Sequence, residues 1–183
     1  MSKKNLQLVG NGERSSKKKS PSNSLKMSID DMITIDAKTE NQGQFMSQYY
    51  HKPAFLLHGC AGTGKTFIAM YRALEEVLDK GTPFERVIVV RSAVPSRDIG
   101  HLPGSLDEKT DIYSLPYQAM CKEFFPTKQQ PYQRLVEQKY LEFMSTSYIR
   151  GITLEHAVII IDECQNLTDM EINSIMTRAG VST

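Results

Sequence analysis

The sequence predicts an α/β domain of three layers, with helices over both faces of a mainly parallel sheet. Three features carry that reading. The apolar run Ala54 to His58 leads through a glycine-rich loop into a helical pattern. The β-branched run Arg86 to Val90 follows, and the five-residue apolar run Ala157 to Ile161 ends in two acids. Short apolar runs that do not alternate with polar residues belong to strands covered on both faces, the usual state of parallel strands.

Taken in order, residues 1–27 read as a basic tail and residues 28–183 as the folded core. Residues 1 to 26 carry seven Lys or Arg against one acid, leaving fifteen against twenty for the rest. With Ser15, Ser16, Lys17, Lys18, Lys19, Ser20 and Pro21 at its centre, this stretch has too little apolar surface to offset the entropy of ordering it. Two uses of such a tail stay open, an arm that attracts nucleic-acid phosphates or a solubilising extension. Ser28 to Gln44 is polar, and Gln44 to Tyr50 reads as a short helix broken by Lys52 and Pro53.

Ala54 to His58 is the first expected strand. Ile68, Ala69, Ala73, Val77 and Leu78 give helical spacing from Thr66 to Lys80, with Gly81 as the stop. Arg86 to Val90 is the second strand, and Pro95, Gly100, Pro103 and Gly104 mark a long loop. A helix follows around Ser114 to Phe124, then a third strand at Leu141 to Met144 and a fourth at Ala157 to Ile161. Thr168 lies three residues before Glu171, a capping box that opens a helix over residues 169–179, with Gly180 as its stop.

Composition excludes several classes. An apolar fraction of 40% suits one soluble domain, and no run exceeds five apolar residues, far below the roughly 18 that a membrane-spanning helix needs. No secretory signal pattern follows the first lysines, so the expected compartment is the cytoplasm. Cys60, Cys121 and Cys164 form an odd, unpaired set, and His51, His58, His101 and His156 are scattered. Neither a disulfide framework nor a structural metal site is expected from such spacings.

Gly59, Cys60, Ala61, Gly62, Thr63, Gly64, Lys65 and Thr66 fit the pattern G-x-x-x-x-G-K-[ST] between an expected strand and helix. The glycines let the backbone turn tightly and aim successive amides inward, toward phosphates that also meet the positive end of the helix. Lys65 is placed to reach the β and γ phosphates, and the Thr66 hydroxyl to coordinate Mg2+. Asp162 and Glu163 end an apolar strand on the side where parallel sheets bind ligands, which is a Walker B arrangement. Asp162 is expected to hold the metal and Glu163 to polarise the attacking water. No guanine-reading Asn-Lys-x-Asp and no transporter-type Ser-Gly-Gly occurs. Helicase-like and ring-forming ATPases are the classes that remain.

Seven segments together resemble the PhoH-like ATPases, in order and over about residues 38 to 180. They are Thr39-Glu40-Asn41-Gln42, Gly59 to Thr66, Val89-Val90-Arg91-Ser92-Ala93-Val94, Gly100-His101-Leu102-Pro103-Gly104-Ser105-Leu106, Tyr148-Ile149-Arg150-Gly151, Asp162-Glu163-Cys164-Gln165-Asn166 and Thr177-Arg178-Ala179-Gly180. The Leu-Pro-Gly and Asp-Glu-x-Gln-Asn segments make the resemblance specific, and phage-borne variants look similar. It implies a RecA-like core, ATP hydrolysis with Mg2+, binding of single-stranded RNA or DNA, and homo-oligomers that are often rings.

By the same resemblance Gln42 is expected to contact adenine, with Gln44 as the competing choice. Gln165 would link the γ phosphate to a polynucleotide site or simply precede a helix. Arg91 and Arg150 are expected either at a nucleic-acid contact or as surface charge, and Arg178 near a helix end. Family members continue past the position of Gly180 into a strand bearing a Gly-Asp-x-x-Gln sensor and, later, a catalytic arginine. Neither follows here, so a sheet incomplete at that end is expected. An ATPase and a hydrolytically inactive nucleotide- or RNA-binding module both stay open.

Overall fold

The computed structural model describes residues 26–92, 106–146, 148–149, 151–180 and 183, with the backbone alone described over 106–112. Among these residues three strands, β1 (Arg86–Arg91), β2 (Leu141–Ser145) and β3 (Ala157–Ile161), form a parallel sheet in the order β2-β1-β3. Val87 pairs with Leu141 on one side and Val158 on the other, and this register continues to Val90 against Met144 and Ile161. β1 is the central strand and is covered on both faces and both edges, whereas β3 lies at an edge and is only partly buried beyond Ala157. Val87, Ile88, Val89 and Val90 are accordingly at most 1% exposed.

Among the described residues there are five α-helices: α1 (Glu40–Gln48), α2 (Lys65–Leu78), α3 (Leu106–Phe124), α4 (Pro131–Glu137) and α5 (Asp169–Met176). Alternate strand residues divide the core. Val87, Val89, Leu141, Phe143, Val158 and Ile160 meet Leu74 and Val77 of α2, Tyr117 and Phe124 of α3 and Leu135 of α4. Ile88, Val90, Ile159 and Ile161 face the other way, toward Ile149, Leu154 and Ile175 of α5. The aliphatic side chains of this set that are fully buried, such as Val87, Ile88, Val89 and Val90, each contribute about 1.5–3 kcal/mol relative to exposure.

The described chain begins with Lys26 and Met27. Met27, assigned to the tail by the sequence reading, is 2% exposed, packs in the larger core cluster, and donates its amide to Gln138 Oε1 at 2.9 Å. Lys128, with its side chain 3% exposed, pairs with Asp31 at 3.0 Å and ties the entering segment down. Residues 1–25 lie outside the described residues.

Several elements differ from the sequence expectation. Ala54 to His58 joins no strand, because among the described residues no neighbour supplies ladder bonds along it; Leu56 is 79% exposed. The helix expected over Gln44 to Tyr50 starts earlier, at Glu40, where the Thr39 hydroxyl caps the amide of Gln42. It passes into a single 3-10 turn at Tyr49–His51. The helix expected to run to Lys80 ends at Leu78, and Gly81 is not left-handed; Asp79 closes the last turn with its own amide.

The helix expected from Ser114 begins at Leu106 and carries Pro116 inside it. α4 was not expected at all, although Pro131 at its first turn is a recognised helix-start signal. α5 stops at Met176, short of residue 179. Gly180 serves close approach instead of a helix stop: a Cβ there would lie 2.8 Å from Glu155 Cγ and 3.2 Å from the Leu154 carbonyl oxygen. Its amide and the bridge between Leu154 and Ala179 fasten this segment beside residue 154. Among the described residues no helix is long and apolar enough to cross a membrane.

Candidate functional site

The glycine loop lies at the amino end of α2 and is shaped by three glycines with positive φ, Gly59 (146°), Gly62 (76°) and Gly64 (77°). Gly64 is the N-cap, and being a glycine it offers no side-chain acceptor to the first-turn amides of α2. Those amides and the helix dipole stay available to an anion. A Cβ at Gly64 would sit 3.2 Å from Gln42 Nε2, so the loop and α1 approach as closely as a glycine allows.

Inside the loop the Thr63 hydroxyl donates to the Cys60 carbonyl at 2.9 Å. Lys65 Nζ curls back and donates to the carbonyls of Gly59 (2.9 Å) and Cys60 (2.7 Å). The ammonium thus spans the turn whose amides would receive phosphate, held by neutral acceptors that a polyphosphate outcompetes. Gln42 donates from Nε2 to the Thr63 carbonyl at 3.0 Å while its Oε1 accepts the Lys38 amide at 2.8 Å. Gln44, the competing glutamine, instead donates to Glu40 along its own helix. Of the two, Gln42 stands beside the loop.

The carboxyl end of β3 delivers the acids to the same place. Asp162 is anchored by its amide on the Val90 carbonyl, and its Oδ1 accepts the Thr66 hydroxyl at 2.8 Å. Its Oδ2 accepts the hydroxyl of Tyr117, on α3, at 2.5 Å. Tyr117 is 1% exposed, and its ring leans on Phe143 of β2 at a centroid distance of 5.7 Å. Burial raises the Tyr117 pKa most, with the Asp162 hydrogen bond and charge next; the Arg91 guanidinium pulls the other way. The phenol therefore stays protonated and acts as a donor at neutral pH.

Glu163 follows in the left-handed region, φ 50°, which turns its side chain away from the strand into an exposed position. There its Oε2 accepts the side-chain amide of Gln165. A 3-10 turn, Cys164–Asn166, leads on to α5, whose Thr168–Glu171 capping box is formed as the sequence predicts. Arg91 ends β1 with its guanidinium 5.4 Å from the Tyr113 ring centroid, beside Tyr117. Arg150, also expected near the site, lies outside the described residues. Arg178 sits just past α5, where its carbonyl accepts the Leu154 amide at 2.8 Å.

Among the described residues no three His, Cys, Asp or Glu side chains are grouped to hold a metal ion. The hydroxyl of Thr66 and the carboxylate of Asp162 nevertheless fit Mg2+, a hard cation that takes one or two protein oxygens and completes its shell with water and phosphate. Cys60 is exposed, Cys164 half-buried, and Cys121 buried, its thiol pushed up to about 12 by burial. Tyr117 is the member of the site that sequence reasoning missed. An aromatic at helical spacing reads as core, and only the meeting of α3 with the end of β3 gives its hydroxyl a partner.

Comparison with known proteins agrees with this geometry. Residues 34–183 match the family model of the PhoH-like protein. The chain is 34% identical over 147 residues to a PhoH-like protein of Synechocystis sp., covering 80% of this chain and 44% of that one. It is 32% identical over 148 residues to the PhoH-like protein of Bacillus subtilis, covering 80% and 45%. Against Protein PhoH of Escherichia coli K12 the identity is 33% over 152 residues, covering 82% and 42%. The chain thus matches less than half the length of these relatives. With a formed glycine loop, an acidic strand end joined to it, and a family match over most of its length, the chain belongs to the PhoH-like family of P-loop nucleotide-binding proteins.

Proposed function

We propose that this chain is an ATPase core that binds ATP with Mg2+ and hydrolyses the γ phosphate, in a RecA-like layering. The observation that carries the reading is the Thr66–Asp162 hydrogen bond, which joins the phosphate loop to the end of β3 across 96 residues of sequence. In P-loop enzymes those two positions share one metal. Lys65 leaves the Gly59 and Cys60 carbonyls to meet the β and γ phosphates, and the first-turn amides of α2 receive the rest of the polyphosphate. A bound Mg2+ would supply neutralisation of the charge that develops on the phosphate oxygens. Thr66 and Asp162 hold it, Asp162 directly or through water.

Glu163 orients the attacking water, and its hydrogen bond with Gln165 couples that step to whatever Gln165 touches. The chemistry rests on positioning and charge stabilisation, so misplacing one group by an ångström is enough to slow it. Gln42 is proposed to read the adenine edge, since its carboxamide both donates and accepts beside the loop. Single-stranded RNA or DNA is the proposed partner, contacted by Arg91 and Arg150, in a homo-oligomer and in the cytoplasm. Phosphate release from ATP by the purified chain, with and without polynucleotide, tests the reading. Turnover lost in Lys65→Ala and Glu163→Gln supports it.

A second reading, nucleotide binding without turnover, draws on the carboxylate of Glu163, which is engaged by Gln165. ATP binding that depends on Lys65, with no phosphate release under any condition, would select it.

A further inference from the structure

We infer that Tyr117 is a positioning residue for the metal-holding carboxylate: its hydroxyl fixes the rotation of Asp162 so that Oδ1 faces Thr66 and the cation. The inference rests on the nucleotide and Mg2+ reading above and adds to it a residue outside both sequence motifs.

The two oxygens of Asp162 have different donors. Oδ1 accepts from Thr66, a residue of the loop itself, and Oδ2 accepts from Tyr117, a residue of the core. A hydroxyl can donate its hydrogen to Asp162 while its lone pairs face a cation, so Thr66 serves both groups at once. Tyr117 has another character. Its ring is 1% exposed and leans on Phe143, so the hydroxyl is delivered by a body that cannot follow movements of the loop.

A carboxylate turns about its Cβ–Cγ bond unless both oxygens are held, and β3 fixes only the backbone, through the Asp162 amide on Val90. Without the phenol, Oδ2 would lose that donor and only Thr66, a residue of the loop, would limit the tilt of the carboxylate plane. Outer-shell donors of this kind set the orientation of first-shell ligands, and losing one typically costs about 10–100-fold in metal affinity or activity. Arg91, close to the same hydroxyl, is the other charged group facing it among the described residues.

The test is equilibrium binding of a ribose-labelled fluorescent ATP to the full chain, first in EDTA and then across a Mg2+ titration. Tyr117→Phe should leave affinity in EDTA within about twofold and raise the Mg2+ midpoint about tenfold. Added to Asp162→Asn it should change nothing further, because the group it orients is gone. Equal losses with and without Mg2+, or full additivity with Asp162→Asn, would mean that the ring only supports the fold and would overturn the inference. A wild-type chain that binds the nucleotide equally well with and without Mg2+ would reject the metal reading itself, and this inference with it.

Should Tyr117→Phe not fold, proton NMR of the unmutated chain provides a second measurement. One tyrosine hydroxyl protected from solvent exchange should shift when Mg2+ is added to the nucleotide complex, and should disappear in Asp162→Ala. A spectrum with no such resonance, or one that ignores Mg2+, also overturns the assignment.

Discussion

Thr66 and Asp162 are joined by a 2.8 Å hydrogen bond from hydroxyl to carboxylate, so the second residue of α2 and the first residue after β3 form one unit. Groups that act as a unit are not additive when removed. Thr66→Ala and Asp162→Asn should each weaken Mg2+-dependent ATP binding, and the double variant should lose less than the sum. The expected coupling is about 1–3 kcal/mol, measured by calorimetry at fixed Mg2+.

Lys65 is held by loop carbonyls on an exposed surface, which separates its part in folding from its part in binding. Lys65→Ala should leave the melting temperature within a few degrees and reduce ATP affinity about 10–100-fold, the value of a charge-assisted hydrogen bond pair. Thermal unfolding beside a nucleotide titration checks both halves. A collapse of stability with affinity retained would contradict the assignment.

Gly64 combines a φ of +77° with a neighbour, Gln42 Nε2, that a methyl group would approach to 3.2 Å. Gly64→Ala should destabilise the chain by about 1–2 kcal/mol, the cost of a left-handed residue with a Cβ. The substitution should also push Gln42 off the Thr63 carbonyl. Denaturant unfolding reads the first effect, and a change in adenine-over-guanine preference reads the second.

Glu76, on α2, has its pKa raised chiefly by burial, with the Tyr49 hydrogen bond opposing. The folded state therefore binds the proton more tightly than the unfolded state does. Its contribution is fully present below the unfolded value and is lost as pH rises through the folded one. Stability from this group should fall as pH climbs above about 4.5, and Glu76→Gln should flatten that slope. Urea midpoints taken from pH 4 to pH 8 for both chains are the check.

How much of this could be read beforehand depended on whether a signal was local. β3 and the Thr168–Glu171 cap were legible to the residue, because an uninterrupted apolar run and a capping box each state their own structure. Ala54 to His58 has an equally apolar sequence yet joins no strand, since a strand exists only where a neighbour completes its ladder. The first turn of α1, Glu40 to Gly43, escaped because its residues are polar or glycine and its clearest mark is the Thr39 cap. Tyr117 escaped because its partner lies 45 residues away and no spacing rule links them. Lys65, Thr66 and Asp162 stood out because each falls in a short local pattern, and the structure brings Thr66 and Asp162 within 2.8 Å of each other.

Glu163 stands in a left-handed backbone that a residue with a Cβ enters at a cost of roughly 1–2 kcal/mol, where glycine would enter freely. The chain therefore carries at this turn a conformational load that a simple substitution would relieve. Glycine would relax the turn and remove the carboxylate in the same step. A screen for heat resistance alone should drift toward glycine or asparagine at residue 163, and a screen for turnover should hold glutamate. On the proposed ATPase reading, position 163 is where robustness and turnover select for opposite residues.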